Sequence, residues 1–98
     1  MHWALGDAGA ALEAGHDLHE QQFHTRERKA RMHTDLARAY LMHNRPERAA
    51  AELLAALRVS PAEVRERPAI RQVVTEVGQR HRGATGVREL VTAAGVLA

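Results

Sequence analysis

The chain has no cysteine, one serine, three prolines and three aromatic residues (Trp3, Phe23 and Tyr40) among its 98 positions. Without cysteine there is no disulfide framework, no thiolate nucleophile and no cysteine-ligated metal. Because the chain is 45% hydrophobic and nearly free of aromatics, packing falls to Ala, Leu and Val, which favours close helix-to-helix contact over a sheet sandwich. No apolar run approaches the roughly 20 residues of a membrane span, and the N-terminus lacks the charged-then-apolar pattern of a secretory signal. A soluble, cytoplasmic protein with no membrane partner is expected, built as one small domain over residues 1–98. Charge of one sign is scarce as well. Fourteen basic residues against twelve acidic ones leave a net +2, and a pI near 9.9 does not make so small a charge a strong long-range field. Direct DNA binding by this chain is therefore not expected. Thirteen of the fourteen basic residues are Arg. Enzymatic chemistry has little to start from. Ser60 sits beside Pro61 as a helix cap, and Gly6, Gly9 and Gly15 follow no strand that would make a phosphate-binding loop.

What is present centres on residues 33–61. Leu36 and Tyr40 stand one helical turn apart, while Ala49, Leu53, Ala56 and Leu57 form a facing stripe. Between them, Asn44 suits a left-handed C-terminal position and Pro46 suits the first turn of the next helix. Pro61 ends the second helix. With His33, Ala37 and Pro61, these residues resemble the W-x2-L-G-x2-Y…A-x3-F…P skeleton of a tetratricopeptide (TPR) repeat. His33 stands in the Trp slot, Ala37 in the Gly slot and Leu53 in the Phe slot. The resemblance implies an all-α fold of TPR-like helical hairpins in a short right-handed solenoid, with about five helices.

Upstream, Ala8, Leu12 and Gly15 repeat the spacing of Ala49, Leu53 and Ala56 at an offset of 41 residues, longer than a TPR unit of about 34. Residues 1–20 are accordingly expected to hold the second helix of a partial repeat, from about Asp7 to His19. The polar stretch from His19 to Thr25 then reads as a loop insertion, and Thr25 as the N-cap of a helix from about Arg26 to His43. The complete hairpin occupies 25–61 and the capping helices 62–98. Ser60, Pro61 and Glu63 read as a capping box. Pro68 opens a helix with the stripe Ile70, Val73, Val74 and Val77, and a last helix carries Val87, Leu90, Val91 and Ala94 before Gly95.

The succession GDAGAALEAG, ERKARMHTDLARAYLMHNRPERAAAELLAAL and SPAEVRERPAIRQVV also resembles the C-terminal part of actinobacterial XRE-type helix-turn-helix transcriptional regulators, over about Leu5 to Val77. In that family a TPR-like sensor or dimerisation domain follows a DNA-binding domain. No helix-turn-helix fits in the few residues before the first helix. The resemblance thus implies a non-enzymatic regulatory module that binds a peptide, protein or small effector or mediates dimerisation, with DNA reached only through a domain not present in this chain. The alternative is a free-standing adaptor for protein-protein interaction.

Candidate sites follow. First helices of TPR hairpins line the concave groove, which points to Arg31, Thr34, Arg38, Leu41 and Met42, with the two Arg suited to a carboxylate and Met to an irregular apolar surface. Trp3, Leu5, Ala8 and Leu12 form an apolar patch expected to pair with a second copy as a homodimer. His16, His19 and Glu20 share a helix face with His24 nearby, but Phe23 stands where H-E-x-x-H needs its second His. A metal-dependent hydrolase is thus the least favoured reading, and neither metal nor cofactor is expected.

Overall fold

A computed structural model describes the backbone of residues 8–95 and the side chains of residues 24–95. Among the described residues the fold is all helical, in the order α1 (Ala8–Met42), α2 (Pro46–Val59), α3 (Pro61–Arg65), α4 (Pro68–Arg80) and α5 (Val87–Ala94).

The first helix corrects the sequence reading. No loop interrupts residues 19–25, because α1 runs unbroken through 35 residues. The reason is compositional: His19 to Thr25 is polar but contains neither Gly nor Pro, and Glu20, Gln21 and Gln22 are good helix formers. Polarity alone does not stop a helix. Residues 8–20 and 25–42 therefore belong to one helix, about 52 Å long at 1.5 Å per residue. Thr25 lies inside it and is not its N-cap.

The α1–α2 turn forms as its residues suggest. Asn44 takes φ 57°, its N–H donates to Leu41 O at 3.0 Å, and Arg45 N–H donates to Tyr40 O at 2.9 Å. This pair of bonds is a Schellman closure, which satisfies two otherwise orphaned carbonyls. Pro46 then starts α2 without losing a hydrogen bond that the helix needs.

The phase of α1 is a second correction. Among its described side chains, Ala30, Thr34 and Ala37 are fully buried, whereas Leu36 is 39% exposed. The stripe facing α2 is therefore 30, 34 and 37, with Tyr40 and Leu41 packed partly against it. Helical periodicity is right, but the face is rotated by one residue. The cause is the small-residue face of α2: Ala49 and Ala56 are each 0% exposed, and they let α1 and α2 approach closely. At such a contact Ala37 fits and Leu36 does not. His33 Nδ1–H donates to Glu52 Oε2 at 2.6 Å, adding a polar tie at the edge of the same seam.

Around α2, which touches all four other helices, the core is completed by Leu53, Leu57, Val64, Ile70, Val74, Val77, Val87, Leu90 and Ala94. The stripe expected on α4 is present, with Ile70, Val74 and Val77 fully buried and Val73 at the margin. Gly86 (φ 85°) and Gly95 (φ 69°) begin and end α5 in left-handed conformations that favour glycine.

The capping box at Ser60 is the third correction. Ser60 does sit at the N-cap of α3, but its side chain makes no cap bond. The Glu63 carboxylate instead turns inward, 8% exposed, and accepts from Arg67 at 2.7 Å and from Arg31 at 3.3 Å. Two cations offset the cost of enclosing the carboxylate, and the outcome is a link from α1 through α3 to the start of α4. Arg65 Nη2 donates to the Ala93 carbonyl at 2.9 Å, tying α3 to the end of α5.

Candidate functional site

A cleft of about 550 Å³ lies between the C-terminal end of α1 and α4. From α1 it takes Arg38, Leu41 and Met42, and from α4 it takes Ala69, Gln72, Val73, Glu76 and Arg80. Its making follows from helix periodicity. On α1, positions 38, 41 and 42 are adjacent to the buried stripe without belonging to it. On α4, positions 69, 72, 73, 76 and 80 recur at helical spacing along the margin of the Ile70, Val74 and Val77 stripe.

The chemistry of the cleft is divided. Half-buried Leu41 and Val73, with Ala69 beside them, supply its apolar lining, and Met42, 86% exposed, is an adaptable edge. At the rim, Arg80 Nη1 donates to Glu76 Oε1 at 3.1 Å, so that carboxylate is already engaged. Arg38 makes no ion pair or side-chain hydrogen bond among the described residues. Such a site suits an apolar group joined to an anion: the lining takes the first and the guanidinium fork the second. It contains no nucleophile with an adjacent base.

Three of the five groove residues expected from sequence, Arg38, Leu41 and Met42, come together here. The other two do not. Thr34 is 0% exposed and donates its hydroxyl to Arg31 O at 2.9 Å, because it belongs to the face buried against α2. Arg31 points toward α3 and pairs with Glu63. The seven-residue spacing of Arg31 and Arg38 does place both on one side of α1, but nearly two turns of rise leave them in separate surroundings. The share supplied by α4 is not legible in the sequence. The i, i+4 pair Glu76 and Arg80 was readable there, but the approach of α4 to α1 was not.

Trp3 and Leu5 lie outside the described residues. Ala8, Leu12, His16, His19 and Glu20 lie on α1, with side chains outside the described set. Among the described residues, no group of three or more His, Asp or Glu is placed to hold a metal ion, and no helix is long and apolar enough to cross a membrane. The chain matches no protein-family model, no curated protein and no solved structure.

Proposed function

We propose that this chain is a non-enzymatic regulatory module of TPR-like architecture. Its α1–α4 cleft binds a peptide or protein segment that presents an apolar side chain next to a carboxylate. The supporting observation is the cleft itself: α1 and α4 open two successive helical hairpins, α1/α2 and α4/α5, and line one concavity, as first helices of TPR hairpins do. The free Arg38 beside the apolar Leu41 and Val73 lining supplies the selectivity. In this reading the module works as a homodimer and passes its occupancy to a DNA-binding domain outside these 98 residues, in the manner of the XRE-type regulators that its sequence resembles.

Selection from a displayed library of random peptides ending in a free carboxylate tests the peptide reading. Enriched sequences are expected to carry an apolar residue within a few positions of the terminus and to lose at least ten-fold in affinity on amidation. Selected peptides that bind equally well when amidated, or equally well to Arg38→Glu, would contradict it.

A further inference from the structure

The face of α1 turned away from α2 carries two exposed apolar side chains set among charges. Met32 is 49% exposed and Leu36 39% exposed. They stand one turn apart and share a shallow hollow of about 430 Å³ with Arg28, Arg31 and Asp35. Lys29 and Ala39, both exposed, extend the same face, so that 29, 32, 36 and 39 follow the 3-4-3 spacing of a helix-pairing seam. Arg28, Met32 and Leu36 form an i, i+4, i+8 ridge of the kind that packs into the groove of a second helix.

The charges beside this ridge identify the partner. Arg28 and Lys29 lie one turn before Met32, and Asp35 lies just after it. None of the three makes an ion pair or side-chain hydrogen bond among the described residues. A second copy laid parallel would set Arg28 and Lys29 against their own equivalents. Laid antiparallel, with the two-fold axis at Met32, it sets Arg28 and Lys29 beside Asp35 of the other copy, and the same contact recurs by symmetry. The ridge reads itself in reverse: Leu36 packs along the Arg28 stem, Met32 meets Met32, and the cationic heads reach the carboxylates.

We infer that two copies of this chain pair antiparallel through the outer face of α1, crossing at Met32, with Leu36 as the flanking apolar contact and Asp35 as the acceptor for Arg28 and Lys29. The inference deepens the dimer in the proposed function and is independent of the cleft, because Arg38, Leu41 and Met42 lie off this face. It also moves the expected contact away from Trp3, Leu5, Ala8 and Leu12.

The absence of cysteine makes the test direct, since Met32→Cys introduces a single thiol. Light scattering at about 100 µM is expected to give a dimer for the unaltered chain. Met32→Glu should weaken it at least ten-fold, and Asp35→Lys should weaken it by a similar factor. Combining Asp35→Lys with Arg28→Asp and Lys29→Asp should restore pairing, a result that loss of folding cannot produce. Under mild oxidation Met32→Cys should become a disulfide-linked dimer, while Glu66→Cys, exposed on another side, should remain reduced. A monomer at that concentration would overturn both this surface and the dimer. A dimer that survives Met32→Glu and dissociates with Leu12→Glu would overturn this surface alone and leave the dimer standing.

Discussion

Leu53→Ala is the substitution that most directly reads the packing described for the hairpin. Leu53 is 0% exposed and belongs to the same buried cluster as Ala37, Ala49 and Ala56, each at equally complete burial. Removing a buried Leu to Ala costs about 2–5 kcal/mol, the upper part applying where neighbours cannot fill the space. Alanines have no rotamers with which to do so, and a loss of about 3–4 kcal/mol is expected. A 98-residue domain has about 5–15 kcal/mol in all, and each kcal/mol moves the midpoint of a domain this size by about 4–8 °C. Thermal unfolding followed by circular dichroism should therefore shift down by about 12 °C or more. Leu36→Ala is the matched control, measured dilute enough that self-association does not contribute. Leu36 is 39% exposed, so its truncation should cost under about 1 kcal/mol. Equal shifts for the two variants, or a larger one for Leu36, would refute the placement of α1 against α2.

Other substitutions read other elements. Gln22→Pro should remove several residues of helix in the far-ultraviolet spectrum and cost about 3 kcal/mol wherever the helix is stabilised by the fold; an unchanged spectrum would restore the loop between His19 and Thr25. Glu63→Ala should cost about 1–3 kcal/mol, because it strips Arg31 and Arg67 of their acceptor. Arg31→Ala should cost less, under about 1 kcal/mol, since its side chain is 58% exposed, and urea unfolding of the two variants checks the order. Asn44→Val forces a β-branched residue to φ 57° and should destabilise by about 1–3 kcal/mol, while Asn44→Gly should be neutral within error.

The parts legible from sequence were those in which a residue's own covalent chemistry decides the backbone. Asn44 before Arg45 and Pro46 announces a left-handed closure followed by a new helix. Ile70, Val73, Val74 and Val77 announce one apolar face whatever packs on it. Gly95 announces a stop. Less legible was whatever depended on a partner element. The polar run over His19 to Thr25 resembles a loop, but with neither Gly nor Pro it holds nothing that stops a helix. Leu36 outranked Ala37 in hydrophobicity but lost the buried position, since the alanines of α2 set a spacing that only a small residue meets. Glu63 satisfies the spacing of a capping box, yet two guanidiniums, Arg31 of α1 and Arg67 at the N-cap of α4, give its carboxylate stronger bonds than a backbone amide. In the cleft, α1 supplied residues that a repeat template names, whereas the α4 wall depends on how α3 turns the chain back.

The measurement closest to the central claim is a backbone amide chemical-shift map of the protein titrated with an enriched, free-carboxylate peptide, repeated with Arg38→Glu and Val73→Glu. The account predicts saturable shifts confined to the end of α1 around 38–42 and to α4 over 69–80. Affinity should fall at least ten-fold in either variant while the remaining spectrum stays folded. Shifts centred elsewhere, or undiminished binding by both variants, would contradict the α1–α4 cleft as the site of recognition.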